Sequence, residues 1–332
     1  MPSKIATSID PFLSLLPPEL FLLIATKLKP EDLASFVVSS PLLSRTYVPL
    51  LITYTSPQGE TLLTGAVIRR HHGLVHSLLQ HGADPNVHDH TERATPLHHA
   101  SISADLSSVR LLLRFSAHPN ASALGDITPL HFAATAADGH TIIPLLIRGG
   151  ASINRANDTG CTAIWWAASK GRELNVRALL ELGADGARAD ADGWSPLHCA
   201  AAKGYAGIVG ALVDAGMGMG ARDNAGLTPL IYAAMKGHVD AVKILLAKGA
   251  DVDAGDGMGG TTELTAICCA ACAGHEEVVR LLLEAGASVG LRDAVISAGA
   301  AGKRGVMEML LKCGREEVRD RGGELMAYFR EI

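Results

Sequence analysis

The chain has 332 residues, enough for one array plus a small module, with 48% hydrophobic but only 4% aromatic residues and a formal net charge of −5. That composition suits a helical stack built on Ala, Leu and Val better than a sandwich or barrel, and no Lys/Arg block points to nucleic acid. Six cysteines without a secretory signal, with Cys199, Cys268 and Cys269 inside predicted helices, indicate a reducing compartment and an intracellular protein, cytoplasmic or nuclear. Pro17, Pro18, Glu19 and Lys27 interrupt the apolar N-terminus too soon for a membrane span.

Residues 1–11 are polar and predicted to be disordered. Leu16, Leu20, Ile24 and Leu28 then recur at four-residue spacing and give a short helix an apolar face. Pro30 ends that helix, a second begins at Glu31-Asp32 and carries Leu33, and a third is predicted over about Pro41 to Leu51. Pro49 marks the end of this N-terminal module.

From residue 57 the chain repeats itself. Asp223 to Ala254 is the clearest copy: a polar turn, then Thr228-Pro229-Leu230 opening a helix that holds Ala233-Ala234 and closes at Gly237-His238. A second helix carries Val239, Val242, Ile244, Leu245 and Leu246 and ends at Gly249. Thr228 suits an N-cap, Pro229 the first helical position and Gly249 the left-handed residue after a helix. Two helices this short cannot bury both apolar faces alone, so the unit needs copies on either side. The register residues are Thr61, Thr95, Thr128, Thr162, Ser195, Thr228 and Thr265, with steps of 34, 33, 34, 33, 33 and 37 by subtraction. An eighth, degraded copy starts near Asp293, with Gly302 at the helix-closing glycine and Met309-Leu310-Leu311 as its apolar run. The third copy places Pro144 in its second helix, which predicts a kinked or shortened helix. The fourth has Ala163-Ile164-Trp165 in place of Pro-Leu-His. Residues 314–332 read as a charged closing helix.

The period of 33 with TPLHxAA…GH…LLL…GAD resembles the ankyrin repeat, over seven to eight copies across residues 57–320. The resemblance implies an all-α solenoid of helix-turn-helix repeats with finger turns. The segment LPPEL…L…L.PEDL within residues 12–52 resembles the F-box, a trihelical module that docks on the Skp-type adaptor of cullin ubiquitin ligases. That second resemblance implies adaptor contacts through Leu16, Pro17, Leu20, Ile24 and Leu28, with Leu33 packing internally. It also implies a substrate-receptor subunit that tethers an unknown protein substrate on its repeats, performs no bond chemistry, and is a monomer outside the complex. The alternative is a pure ankyrin scaffold or inhibitor whose N-terminal helices cap the stack.

Three constellations invite chemistry. Cys269-x2-Cys272-x2-His275 shares a helical face, but no second ligand pair lies at zinc-finger spacing, so no metal is expected. Gly255-x-Gly257-x-x-Gly260 follows a helix rather than a strand, so no nucleotide cofactor is expected. His98, His131 and His198 recur at one register position, where a neutral imidazole can bond the capping hydroxyl, and a catalytic histidine would be singular. The positions free for a partner are the residue before each register Thr and the pair before each Gly-His. They yield an apolar row through Ile127, Trp194 and Leu227 and a lysine series of Lys170, Lys203 and Lys236. With Trp165, these seven residues are the partner-binding candidates, suited to an apolar anchor flanked by acidic residues. The competing reading makes the lysines repeat filler and Trp194 a packing residue of its own turn.

Overall fold

The computed structural model describes residues 25, 27–39, 48, 51, 60–257 and 264–312, and every regular element among them is helical. The expectations for residues 1–11, for most of the first and third N-terminal helices and for the closing helix at 314–332 lie outside the described residues. The chain divides into two compact units, Met1–Thr159 and Gly160–Ile332.

In the first unit, α1 (Pro30–Val38) lies against α2 (Leu62–Ile68). Leu33, Ala34 and Val37 of α1 are fully buried. Asp32 pairs with Arg69 at 3.4 Å, and Ser35 Oγ meets His71 Nε2 at 3.2 Å. Beyond α2 come α3 (His72–Gln80), α4 (Pro96–Ile102), α5 (Leu106–Arg114), α6 (Pro129–Thr135) and α7 (Ile143–Arg148). First helices α2, α4 and α6 stack on one another, as do second helices α3, α5 and α7, giving two layers. The third copy departs as its proline requires. Residues Gly139–Thr141 form a 3-10 turn and α7 is shortened to six residues, with Pro144 in its first turn, where no N–H is missed. In the second copy Ala104 takes the left-handed conformation (φ 50°) normally left to glycine, and Asp105 caps α5 by accepting from the Ser108 N–H at 3.4 Å.

The second unit repeats the two-layer plan with better copies. First helices α8 (Ala163–Ser169), α10 (Pro196–Ala202), α12 (Pro229–Lys236), α14 (Ala266–Ala273) and α16 (Leu291–Ala300) form one layer. Second helices α9 (Glu173–Glu181), α11 (Ala206–Asp214), α13 (Val239–Ala247), α15 (Glu276–Glu284) and α17 (Arg304–Lys312) form the other. The degraded eighth copy is therefore a real helix pair, closed by Gly302 at φ 68°.

Local chemistry explains the period. The register hydroxyls of Thr162, Ser195, Thr228 and Thr265 each accept the N–H three residues on, as a helix N-cap does. Where the third residue is histidine the bond is returned. The backbone N–H groups of Thr95, Thr128 and Ser195 donate to Nδ1 of His98, His131 and His198 at 3.0, 3.1 and 3.2 Å. This is a capping box with imidazole in place of the usual Glu or Gln. The pairs Ala167-Ala168, Ala200-Ala201, Ala233-Ala234 and Ala270-Ala271 are buried where first helices meet, and their small side chains set the close approach of the layer. Gly204 shows why glycine is favoured where the first helix closes. It sits at φ 70°, and a Cβ there would fall 2.5 Å from Nδ1 of His238 in the next copy.

Candidate interaction surface

The third residue of each first helix does more than cap its own turn. Because Nδ1 of His98 accepts from Thr95, its proton resides on Nε2, which donates to the Ile127 carbonyl of the following turn at 3.1 Å. His198 reaches the Leu227 carbonyl in the same way, also at 3.1 Å. Burial lowers both histidines, His98 to about 4, which keeps them neutral and this pattern of donor and acceptor intact. Trp165 stands at the same register, and its indole N–H donates to the Trp194 carbonyl at 2.9 Å. Cys268 completes the series, accepting from the Thr265 hydroxyl and donating from Sγ to the Gly290 carbonyl at 3.1 Å. Three different side chains thus perform one task, the pinning of a turn to the copy before it, at Ile127, Trp194, Leu227 and Gly290.

The pinning bonds change the standing of the seven partner candidates. Trp165, half-buried, has its polar atom engaged within the stack. The backbones of Ile127, Trp194 and Leu227 are acceptors in the same pinning bonds, so these positions do carry structural duty. Their side chains are each half-buried. Ile127 belongs to the first unit; the other six candidates lie in the second.

In the second unit Trp194 packs on Tyr232 of the next copy, with ring centroids 4.6 Å apart and a tilt of 56°. His198 meets Tyr232 edge-on at 6.1 Å. The Tyr232 hydroxyl donates to Asp223 Oδ2 at 2.6 Å, and Asp223 Oδ1 accepts from the Ala225 and Leu227 N–H groups. Burial, together with this carboxylate partner, pushes the Tyr232 hydroxyl up to about 12, so it stays protonated and locks the turn to its helix. Aromatic pairs of this kind are worth about 0.5–1.5 kcal/mol beyond area. Tyr232 and the half-buried Trp166 were not among the sequence candidates, although both stand four residues after a register threonine.

Lys170, Lys203 and Lys236 are all exposed at the C-terminal ends of α8, α10 and α12. Lys203 Nζ donates to the Ser169 carbonyl at 2.9 Å and so bridges two copies, the job His238 performs one copy later on Ala202 at 3.0 Å. Cations here also oppose the negative end of the helix dipole. Of the five adaptor-contact candidates, only Leu28 falls within the described residues, where it is half-buried; Leu16, Pro17, Leu20 and Ile24 lie outside them. Leu33 is fully buried, as expected of an internal packing residue.

Covalent chemistry finds little support in this arrangement. Burial raises the Cys199 and Cys268 thiols and pushes Cys269 up to about 12, leaving them protonated and poorly nucleophilic. His275 bonds the Met235 carbonyl at 3.2 Å, and among the described residues no group of three or more His, Cys, Asp or Glu is placed to hold a metal ion. Nor is any described helix long and apolar enough to cross a membrane.

Comparison with known proteins agrees with this geometry. The profile of a family described as "Ankyrin repeats (3 copies)" matches residues 44–123, 97–190, 130–223, 185–256 and 215–293. The chain is 32% identical over 126 residues, or 36% of its length, to E3 ubiquitin-protein ligase KEG of Arabidopsis thaliana. It is 35% identical over 109 residues (32% of the chain) to Ankyrin repeat domain-containing protein 63 of Mus musculus. It is 46% identical over 79 residues (23% of the chain) to Transient receptor potential channel pyrexia of Drosophila melanogaster. The matched stretches span only 8%, 27% and 8% of those three proteins.

Proposed function

Because the chain belongs to the ankyrin-repeat family, we propose that it is a non-catalytic binding protein that holds a protein partner on the first-helix layer of its second unit. The observation that carries this is the Trp194–Tyr232 pair, half-buried and held by Asp223, with Lys236 exposed at the end of the helix that carries Tyr232 and Lys170 exposed in the copy before Trp194. Rigid aromatic anchors ringed by charge are the usual hot spots of an interface. The partner has an apolar or aromatic anchor flanked by acidic residues. Since Lys203 is engaged by Ser169, Lys236 is the better charge to reverse. Proximity labelling with wild type and with a Trp194→Ala, Lys236→Glu double variant tests the reading. Loss of a reproducible set of proteins from a variant with an unchanged circular dichroism spectrum is the expected result, and identical sets from both baits refute it.

The finer reading is that residues 12–52 recruit a Skp-type adaptor, so that a cullin ubiquitin ligase receives a substrate held on the repeats. The LPPEL…PEDL pattern supports it, as does the likeness of the repeats to a protein named as a ubiquitin ligase. Such a subunit acts by proximity, making transfer effectively intramolecular. The contact of α1 with α2, the first helix of the repeats, supports the rival, in which the N-terminal helices cap the stack. Purified adaptor mixed with wild type and with a Leu20→Asp, Ile24→Asp variant separates the two. Capture by wild type alone is the result expected of a ligase receptor; capture by neither leaves only the cap.

A further inference from the structure

The first-helix layer of the second unit also holds a cavity of about 520 Å³ between α12, α14 and α16. Met235, Leu264, Cys269, Cys272, Ala273 and Ile296 give it an apolar wall. Pockets of about 300–1,000 Å³ hold drug-sized ligands, so this one has room for two large side chains. Its wall is open: Leu264 and Ile296 are 45% and 46% exposed, and Cys272 is exposed too. A chain lying across the layer can therefore insert side chains without any helix moving. The two ends of the cavity differ in charge. Beyond Met235 stands the exposed Lys236, and Lys303 lies against Gly274, the residue after Ala273. The opposite end holds Asp293, in the first turn of α16, where Cys268 Sγ donates to the carbonyl of the N-cap residue Gly290. Among the described residues the Asp293 carboxylate forms no ion pair and accepts no hydrogen bond, and Arg292 beside it is exposed and outside the lining.

We propose that the partner's docking segment carries two apolar side chains that fill this cavity, with an acidic residue toward Lys236 and Lys303 on one side of them and a basic residue toward Asp293 on the other. This rests on the partner reading above and extends its surface from the Trp194–Tyr232 pair across the seventh and eighth copies. The apolar wall supplies affinity and the charges supply direction. A segment laid the other way would bring its acidic residue to Asp293 and its basic residue to the lysines, and both contacts would repel. Spacing follows from the layer. Neighbouring helices pack about 8–10 Å apart, so Lys236 on α12 and Asp293 on α16, two helices on, are separated by about 20 Å, or about six residues of extended chain. A basic residue at about that distance from an acidic one, with apolar residues between, is therefore the pattern this face reads.

A random peptide library displayed on phage and selected against the full chain tests this. The expected consensus has two apolar residues between an acidic and a basic one. Against an Asp293→Asn chain, synthetic peptides of that consensus should bind about tenfold more weakly, the loss expected when a charged hydrogen bond is removed. Selection repeated against an Asp293→Lys chain should replace the basic residue by an acidic one. Cys272 reports the site itself, because bound peptide should slow its alkylation by iodoacetamide in proportion to occupancy. Buried Cys161 and Cys199 should stay unreactive throughout and so report that each variant is folded. Selected peptides that are indifferent to both Asp293 variants and leave Cys272 unprotected overturn the inference; if the same peptides are lost on Trp194→Ala, the partner reading stands without it. Failure to enrich any peptide also overturns the inference, while proximity labelling decides the partner reading separately.

Discussion

Replacing Leu245 by alanine is expected to cost the second unit about 2–5 kcal/mol, a large fraction of the stability of a domain this size. Leu245 is fully buried in α13, the second helix of the best copy. Its helix packs on α12 and is flanked in its layer by α11 and α15, so the space left behind is walled by several helices. A stack cannot collapse readily into such a gap, because each copy is fixed by the interfaces on both sides. All three tryptophans, Trp165, Trp166 and Trp194, belong to this unit, and their fluorescence in urea reports its unfolding alone. Lys243→Ala on the exposed face of the same helix is the control and should stay within about 0.5 kcal/mol. A loss of that small size at Leu245 would mean that the repeat register is misassigned.

The register was readable because its determinants are local. A capping hydroxyl, a proline at the first helical position and a glycine at positive φ act within a few residues of one another, so Thr228, Pro229 and Gly237 announce their roles in sequence. The shortening of α7 followed from Pro144 for the same reason. What acts across copies was not readable. Trp165 looks like an exposed aromatic where histidine is usual, and only the 2.9 Å contact to the Trp194 carbonyl reveals that it does the work of His98 and His198. Lys203 likewise looks free until its bond to the Ser169 carbonyl is seen. The stripe of Leu33 and Val37 could have faced a partner as well as the first repeat, since periodicity states that a face is apolar but not what covers it. Tyr232 and Trp166 could have been found by taking the residue four after each register threonine, a position that faces the neighbouring turn.

The buried imidazoles also make the fold acid-sensitive, and the sign follows from their depressed values. His98 is lowered from the ordinary 6.5 to about 4, chiefly by burial, so the unfolded chain binds the proton more readily than the folded one. Stability is therefore full above pH 6.5 and falls as pH drops toward 4, where the loss levels off. Because His98 is only 1% exposed, its contribution at pH 4.5 is a loss of about 2–3 kcal/mol. His198 shifts in the same direction, also chiefly through burial, and so places a loss of the same sign in the second unit. Protonation would also turn Nδ1 from acceptor to donor, opposing the Thr95 and Ser195 N–H groups that now point at it. Below about pH 4 a second loss begins. Burial alone would raise Asp89 and Asp105, but for Asp89 the bonds from the Glu92 N–H and His99, and for Asp105 those from Ser108 and His72, hold both below their usual range. Urea midpoints at pH 7.5, 6 and 4.5, read by far-ultraviolet dichroism for the chain and by tryptophan fluorescence for the second unit, should decline in step between pH 6.5 and 4.5. A flat profile there would mean that the histidines carry protons in the folded chain, and the neutral capping boxes drawn from their geometry would be wrong.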